Sequence, residues 1–108
     1  AYEIMPSLVG SEMCIRDRLS RYTKADHYTW HMDTFFTEDP PARSLSAILQ
    51  LSSPENYTGG EVQLFNGDQE PETLPIKNQG SLVFFRSIEW HRVTPIESGT
   101  RYSLVFWA

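Results

Sequence analysis

Four polar side chains constrain the fold of this 108-residue chain more than any other feature of its sequence. His31 and Asp33 are two residues apart, whereas His91 follows after 57 intervening residues and Arg101 stands ten residues further on. Side chains two residues apart lie on one face of a strand, so a single strand can present His31 and Asp33 together. His91 and Arg101 can join them only if distant strands are brought alongside, which requires a closed or folded-over sheet.

From Ser20 onward the sequence has the pattern of short strands separated by turn residues. Residues 44–51 alternate most clearly, because Leu or Ala takes every second position on one face and Ser or Gln takes the other, apart from Ile48. Residues 39–42 (Asp-Pro-Pro-Ala) interrupt the pattern, and Gly59-Gly60 precedes another strand at a point where positive φ or a close approach is expected. We predict strands at residues 21–23, 28–33, 44–51, 61–65, 73–77, 81–86, 90–95 and 101–107.

A run of about eight short strands is typical of an all-β sandwich or barrel. Periodicity alone does not choose between these architectures. The double-sheet jelly roll is the version that places a metal at its mouth, and the spacing of the four polar side chains favours it.

The same four side chains indicate a chemistry. Two imidazoles and one carboxylate are the set with which non-haem Fe(II) oxygenases cap one face of the metal, so His31, Asp33 and His91 are candidate ligands. Three protein ligands leave the opposite coordination positions free for a chelating co-substrate and O2. The permanently charged fork of Arg101 can pair with the far carboxylate of a dicarboxylic acid whose other end chelates the metal.

Composition and charge narrow the class of partner. The net charge is −5 and the basic residues are scattered, which argues against a general nucleic-acid surface. No apolar run approaches the ~18 residues that cross a bilayer, and no secretory signal opens the chain, so we expect no membrane partner and a cytoplasmic location. The single Cys14 cannot form an internal disulfide, and a site of His and Asp needs no oxidising compartment.

Six short segments together resemble a known family. Residues 21–108 are similar to the catalytic core of the 2-oxoglutarate- and Fe(II)-dependent dioxygenases, in the prolyl 4-hydroxylase-like branch that includes the PKHD-type hydroxylases. The matching segments are Arg21-Tyr22, Tyr28-x-x-His31-x-Asp33, Tyr57-Thr-Gly59-Gly60-Glu61, Gly80-Ser-Leu-Val-Phe-Phe, His91-Arg-Val-Thr-Pro and Gly99-Thr-Arg101. A lone His-x-Asp carries little weight, but the order and spacing of all six segments fit the family.

The resemblance implies a double-stranded β-helix, which is a cupin-like jelly roll, with Fe(II) and 2-oxoglutarate as cofactors and O2 as co-substrate. It assigns the metal to His31, Asp33 and His91 and the distal carboxylate of 2-oxoglutarate to Arg101, with Tyr22 as a second contact. Ser103 shares the face of Arg101 and is a third candidate contact.

The implied reaction hydroxylates an unactivated C–H bond and releases succinate and CO2, with ascorbate as the reductant that rescues uncoupled iron. Prolyl, other peptidyl and free small-molecule substrates all stay open. So do two alternatives, a non-catalytic metal-binding jelly-roll module and a truncated fragment with an intact site but too little scaffold. A nucleic-acid demethylase of the superfamily would carry a second arginine six residues after Arg101, where this chain has Trp107. A cupin with another reaction would favour additional histidines.

The N-terminal segment differs from the rest. Residues 7–18 closely resemble a translated sequencing-adapter segment that recurs at the ends of proteins predicted from metagenomic reads. We therefore expect residues 1–18 to be a non-native segment, residues 19–108 to form the Fe(II)/2-oxoglutarate dioxygenase jelly-roll core, and the native N-terminal part to be missing. The alternative is a short helix over residues 11–19.

Six further residues lie near these segments or on the same strands. Trp30 and Trp90 precede the two candidate histidine ligands, so we expect them to point to the opposite face, into the packing between layers. We expect His27 to be a loop residue. The sequence leaves Tyr28 open between packing and substrate contact, and it leaves Arg86 and Arg92 open between surface charge and substrate contact.

Overall fold

The structure of the chain, a computed structural model, describes residues 2–9, 13–34 and 44–108, with the backbone alone for residues 2–9 and 13–16. The predicted break at residues 39–42 lies outside the described residues. A 3₁₀ turn, Pro54–Asn56, precedes the fifth strand. The strands of the described residues are β1 Tyr2–Val9, β2 Met13–Tyr22, β3 Tyr28–His31, β4 Leu45–Gln50, β5 Tyr57–Gly59, β6 Val62–Leu64, β7 Glu72–Thr73, β8 Leu82–Arg86, β9 His91–Val93, β10 Ile96–Gly99 and β11 Arg101–Trp107.

These strands form two main antiparallel sheets. The larger sheet has five strands in the order β1-β2-β11-β4-β8, and the smaller has four in the order β3-β9-β6-β7. A separate pair joins β10 to β5. Apart from the consecutive pairs β1-β2 and β6-β7, neighbours in both main sheets come from distant parts of the chain, as a folded-over sheet requires. The all-β class predicted from the sequence is confirmed. Within the described residues, no helix is long and apolar enough to cross a membrane.

The hydrophobic core lies where the two sheets face each other. Ile48 and Phe85 come from the five-stranded sheet, and Val62 and Val93 come from the four-stranded sheet. Ile76 completes this buried cluster from the segment that follows β7. Packing these side chains against one another removes apolar surface from water and fixes the distance between the sheets.

The predicted strand at residues 73–77 is wrong beyond Thr73. Pro75 has no N–H with which to continue a ladder, and the chain instead turns, with the Ile76 N–H donating to the Leu74 carbonyl at 2.9 Å. The turn delivers Ile76 into the core, where it is 4% exposed. The short strands β5 and β10 and the strand β1 were not predicted.

The N-terminal helix considered for residues 11–19 is also wrong. β2 covers residues 13–22, pairs with β1 on one side and with β11 on the other, and is extended throughout. Seven residues of β11 are paired with β2, from Arg101 opposite Tyr22 to Trp107 opposite Arg16. The division of the chain into residues 1–18 and 19–108 stays a prediction.

The glycine pair before β6 has the backbone that the sequence predicts. Gly59 and Gly60 have φ of +77° and +61°, in the left-handed region that other residues avoid. A Cβ on Gly59 would lie 2.3 Å from the Pro95 carbonyl oxygen, and a Cβ on Gly60 would lie 2.4 Å from Cδ1 of Ile96. Both positions therefore need glycine for conformation and for space.

Candidate metal centre and anion site

The end of β3 and the start of β9 bring three of the predicted side chains together. His31 and His91 are paired across the two antiparallel strands. The Nε2 atoms of His31 and His91 lie 3.5 and 3.3 Å from Oδ1 of Asp33, which follows β3 by two residues. One ligand atom from each of the three residues lies within 4.8 Å of the others, so a single cation can contact all three.

The two imidazole rings are oriented in the same way. Nδ1 of His31 is 2.7 Å from the Thr29 carbonyl oxygen, and Nδ1 of His91 is 2.9 Å from the Glu89 carbonyl oxygen. A carbonyl only accepts hydrogen bonds, so each Nδ1 carries the proton and donates it. In a neutral ring Nε2 then keeps its lone pair for a metal, and the ring cannot rotate without breaking the bond to the backbone.

The carboxylate of Asp33 has two different oxygens. Oδ1 faces the histidines, and Oδ2 accepts a hydrogen bond from the Ser46 hydroxyl at 2.5 Å. Ser46 is itself within 3.0 Å of the Ser87 hydroxyl, and both serines are fully buried. Burial alone would raise the pKa of Asp33, but in the absence of a metal the hydrogen bonds donated by His31, His91 and Ser46 hold it well below its usual range, and a metal would take the place of the two imidazole protons. Asp33 is therefore a carboxylate with one oxygen held and one available.

The three side chains line a cavity of about 140 Å³ between the sheets. Tyr22 and Tyr28 also line it, and the ring centroid of Tyr28 lies 3.7 Å from that of His31. Tyr28 is 46% exposed, so it packs on a candidate ligand and faces solvent at the same time. Arg18 and Trp107 lie on the same wall, with the Arg18 guanidinium carbon 5.6 Å from the centre of the Trp107 ring.

Arg101 is buried behind this cavity at the first position of β11. It is 1% exposed, and its Nε–H donates to Oε1 of Gln50 at 3.1 Å. Its Nη2 atom is buried without a hydrogen-bond partner. Burial lowers the pKa of Arg101, and Tyr57 and Tyr22 oppose this effect, but a guanidinium stays charged at any physiological pH. A buried cationic donor without a partner is the expected signature of an anion site.

Two further predicted contacts of the co-substrate lie near Arg101. Tyr22 lines the cavity, and the centre of its ring is 5.8 Å from the guanidinium carbon of Arg101. Burial raises the pKa of Tyr22, and the positive charge of Arg101 opposes the rise. Ser103 is 1% exposed and is paired with Gln50 across β11 and β4. Tyr22 therefore lies between the cavity with the metal ligands and Arg101. Arg101 and Ser103 are not among the residues that line the cavity.

The two tryptophans do not pack between the layers, and that prediction is wrong. Trp30 and Trp90 lie with Phe65 on the opposite side of the four-stranded sheet from the histidines, where Trp90 is 46% exposed and Phe65 is 55% exposed. Alternation along β3 and β9 does place them opposite the ligands, but that face is the outside of the sandwich. Arg92 lies over the Trp30 ring at 4.6 Å and therefore belongs to the same outer face.

Arg86, which the sequence left open, and His27, which it predicted to be a loop residue, both lie outside the cavity wall, and His27 is in the loop before β3. The exposed Arg86 forms an ion pair with Glu89 at 2.7 Å. His27 is exposed, with Nδ1 3.1 Å from the Ala25 carbonyl oxygen. Neither is near enough to the three candidate ligands to join their cluster.

Sequence reasoning missed Ser46, Gln50 and Tyr57. Ser46 and Gln50 were assigned to one face of β4, but alternation does not say which face is the inner one. Tyr57 was assigned only to a family segment, yet its hydroxyl accepts a hydrogen bond from Nε2 of Gln50 at 2.8 Å. One signal could have identified the first two: Ser46 and Gln50 share a strand face with Ile48, which indicates that their side chains are buried beside a core residue.

Fold and site together define an all-β sandwich with a partly buried His-Asp-His cluster and a buried arginine. The family model described as the 2OG-Fe(II) oxygenase superfamily matches residues 18–108, and the chain belongs to that family. A PKHD-type hydroxylase from Parvibaculum lavamentivorans is 42% identical over 95 residues, covering 86% of this chain and 41% of that protein. The chain thus spans less than half the length of this curated relative.

Solved structures extend the comparison. A prolyl-4-hydroxylase from Pseudomonas putida matches with a TM-score of 0.71 and 28% identity, covering 86% of this chain and 51% of that one. A cupin domain from Bordetella pertussis is 10% identical with a TM-score of 0.57, and covers 98% of this chain and 92% of the other. The second similarity concerns the fold alone. The cupin-like jelly roll predicted from the sequence is confirmed.

Proposed function

We propose that this chain is a 2-oxoglutarate-dependent Fe(II) dioxygenase that hydroxylates an unactivated C–H bond and releases succinate and CO2. The observation that carries the proposal is the convergence of one ligand atom from each of His31, Asp33 and His91 within 4.8 Å. Membership of the oxygenase superfamily and similarity to a PKHD-type hydroxylase support the same reaction class.

His31, Asp33 and His91 fit Fe(II) by the chemistry of the donor set. Two neutral imidazoles with free Nε2 atoms and one carboxylate oxygen form the facial triad of non-haem Fe(II) oxygenases. When bound, the iron supplies the oxidative chemistry that couples decarboxylation of 2-oxoglutarate to hydroxylation of the substrate. The protein keeps the three donors in place through the backbone carbonyls of Thr29 and Glu89 and the hydroxyl of Ser46.

Arg101 binds the 5-carboxylate of 2-oxoglutarate in this proposal. Its unpartnered Nη2 supplies a charge-assisted donor. The raised pKa of Tyr22 keeps its phenol protonated at neutral pH, so its hydroxyl can donate to the same carboxylate. Ser103, on the face of β11 that carries Arg101, adds a second hydroxyl.

The substrate is a peptide or a small molecule that enters the cavity beside Tyr28. Tyr28 is half-exposed and its ring contacts that of His31, so it is placed to contact a substrate that approaches the metal. Ascorbate serves as the reductant that returns uncoupled iron to the Fe(II) state. We propose a cytoplasmic location, because a site of His and Asp needs no oxidising compartment.

A second candidate function is a metal-binding jelly-roll module without turnover. The chain covers 41% of its PKHD-type relative, so residues that complete the mouth in that protein can lie outside the matched part. Such a module would bind Fe(II) and 2-oxoglutarate and release no succinate.

Anaerobic titration of the Fe(II)-loaded protein with 2-oxoglutarate tests the proposal. We expect one Fe(II) per chain and a metal-to-ligand charge-transfer band when the co-substrate chelates the metal. His31→Ala and Asp33→Ala should lose most of the metal affinity, by more than the roughly 10–100-fold expected for loss of an outer hydrogen-bond partner. Succinate release in air, across proline-containing peptides and small acids, then separates the two candidate functions.

His27→Ala is the matched control for the histidine variant, because His27 is exposed and outside the cluster. It should bind Fe(II) as the unaltered protein does. Stoichiometric Fe(II) binding by both His31→Ala and Asp33→Ala would remove the proposed site. Absence of the band at millimolar 2-oxoglutarate would remove the dioxygenase proposal, and a band without succinate would favour the module.

A further inference from the structure

The side chains that form hydrogen bonds around the Arg101 guanidinium are uncharged residue types. Its Nε–H donates to Oε1 of Gln50, and Nε2 of Gln50 donates to the hydroxyl of Tyr57. Gln50 is fully buried, and Arg101 is 1% exposed. Among the described residues, no Asp or Glu forms an ion pair with Arg101. Burial lowers its pKa, and the only side chains that oppose this effect are the phenols of Tyr57, which also hydrogen bonds to it, and Tyr22.

An amide such as that of Gln50 is an unusual hydrogen-bond partner for a buried guanidinium. A buried guanidinium is normally paired with a carboxylate, because an unpaired charge in a medium of low polarity is costly. Glutamate has nearly the size and shape of glutamine and would supply that carboxylate from the same position on β4. The chain instead has an amide, which can accept the Nε–H without cancelling the charge.

The amide also fixes the direction in which the guanidinium points. Its two ends are both used, one by Arg101 and one by Tyr57, so it cannot rotate without losing a hydrogen bond. The stem of Arg101 is held nearby, because a Cβ on Gly60 would already be 3.5 Å from Cδ of Arg101. With the stem packed and Nε held, the orphaned Nη2 is the part of the fork that stays free.

We propose that Gln50 is a positioning residue that determines selectivity for a carboxylate at Arg101. It orients the guanidinium through a neutral hydrogen bond and thereby leaves the full positive charge for the distal carboxylate of a 2-oxo diacid. This inference rests on the proposed function, because it takes Arg101 as the site of that carboxylate.

Gln50→Glu is the decisive variant. It adds an internal carboxylate at the atom that now contacts Nε of Arg101, so the ligand carboxylate must compete with it. The probes are 2-oxoglutarate and pyruvate, titrated calorimetrically and without O2 into protein loaded with Mn(II). Pyruvate has the metal-chelating end but lacks the distal carboxylate. We expect Gln50→Glu to weaken 2-oxoglutarate by at least about tenfold, the effect of losing one charge-assisted hydrogen bond, and to leave pyruvate unchanged.

The chain offers a matched control in a second Gln–Arg pair. Oε1 of Gln63 accepts the Nε–H of Arg92 at 2.9 Å, on the outer face of the four-stranded sheet. Gln63→Glu makes the same chemical change at the same kind of hydrogen bond, away from the cavity. It should leave the affinities for both 2-oxo acids unchanged, which separates a local effect from a change in net charge.

Melting temperatures distinguish positioning from support of the fold. Gln50→Glu should not lower the melting temperature of the ligand-free Mn(II) protein, because it pairs a buried cation. It should lower the gain in melting temperature that 2-oxoglutarate produces, since that gain follows ligand affinity. A purely structural role of Gln50 would lower the first quantity and spare the second.

Gln50→Met keeps the test open if the glutamate variant does not fold. It removes both hydrogen bonds without adding charge, and should reduce the preference for 2-oxoglutarate over pyruvate less than glutamate does. An unaltered preference in Gln50→Glu, or in Gln50→Met where only that variant folds, would overturn the inference. If the unsubstituted protein shows no such preference, the proposed role of Arg101 itself fails, which is a different result.

Discussion

The five-stranded sheet has buried polar side chains beside the core residues Ile48 and Phe85 on its inner face, and exposed apolar side chains on its outer face. The inner face holds Ser46 and Gln50 from β4, and Arg101 and Ser103 from β11, all at most 1% exposed. The outer face holds apolar side chains that are open to solvent, with Phe84 61% exposed. An antiparallel sheet with one solvated face normally has apolar side chains inward and polar side chains outward, so both the buried polar residues and the exposed apolar ones depart from the usual pattern.

The polar residues of the inner face can be buried because they form hydrogen bonds with buried or partly buried partners. Ser46 donates to Asp33, and Gln50 accepts from Arg101 and donates to Tyr57. Burial of a polar group costs little when its hydrogen bonds are made within the protein. These polar side chains can therefore lie in the interior without contact with solvent. The one buried Arg101 nitrogen without a partner lies where we propose the ligand to bind.

No contact among the described residues explains why the outer face has exposed apolar side chains. Leu45, Leu82 and Phe84 are 42%, 48% and 61% exposed, and together with Ala47 and Phe106 they line an apolar groove. Contiguous exposed apolar surface of this kind is uncommon on a soluble monomer. Alternation along a strand therefore reports two different faces correctly but does not report which of them is inside.

The largest expected effect compares two neighbouring phenylalanines on β8. Phe85 is 7% exposed on the inner face, and Phe84 is 61% exposed on the outer face. Phe85→Ala should lower the free energy of unfolding by about 3–5 kcal/mol, because it opens a cavity in the core. Phe84→Ala should change it by less than about 1 kcal/mol. Urea titration followed by fluorescence gives both values, and equal losses would show that the outer face is covered in solution.

The second comparison uses two neighbouring residues of β11. Arg101 is buried on the inner face, and Tyr102 is 40% exposed on the outer face. Arg101→Ala should weaken 2-oxoglutarate binding by at least about tenfold, because a hydrogen bond to a charged group contributes roughly 1.5–3 kcal/mol. Fe(II) binding should be nearly unaltered, since Arg101 is not a proposed ligand. Tyr102→Ala should change neither affinity in the same anaerobic titration, and a comparable loss in both variants would contradict the assignment of faces.

The sequence predicts strands and ligand spacing well, but it does not predict which face of a strand is buried. The strand at residues 101–107 was predicted with the bounds that are observed, and the spacing of His31, Asp33 and His91 anticipated that they would meet. Both predictions need only local periodicity and the family pattern. The burial of Gln50 and the exposure of Trp90 depend on which sheet lies opposite which face, and no local pattern carries that information.

The same limit applies to the polar network around the metal centre. Ser46 reaches Asp33 across 13 residues of sequence, and Ser87 reaches Ser46 across 41. A serine in a strand is ordinary, so nothing in its position identifies it as a partner of the carboxylate. Such contacts become predictable only when the register of the sheet is known.

The third comparison concerns Ser46 and Leu45 on β4. Ser46→Ala removes the donor to Oδ2 of Asp33, so the carboxylate is freer to rotate away from the two Nε2 atoms. Metal affinity should fall by roughly 10–100-fold, as is typical when an outer hydrogen-bond partner of a ligand is lost. Leu45→Ala, one residue away on the outer face, should not alter metal affinity. Competition with a metallochromic chelator measures both, and an unaltered affinity in Ser46→Ala would show that Asp33 is held by the histidines alone.

The smallest expected effect tests the outer face directly. Replacing Leu82 and Phe84 together by serine removes two of its most exposed apolar side chains. The variant should bind less of the dye ANS, which reports exposed apolar surface, while its free energy of unfolding changes by less than about 1 kcal/mol. Val83→Ser, between them on the inner face and packed on the core, is the matched control and should be clearly destabilised. If the double variant proves as unstable as the control, both faces of this sheet are buried in solution, and the contrast between them would be one of polarity alone.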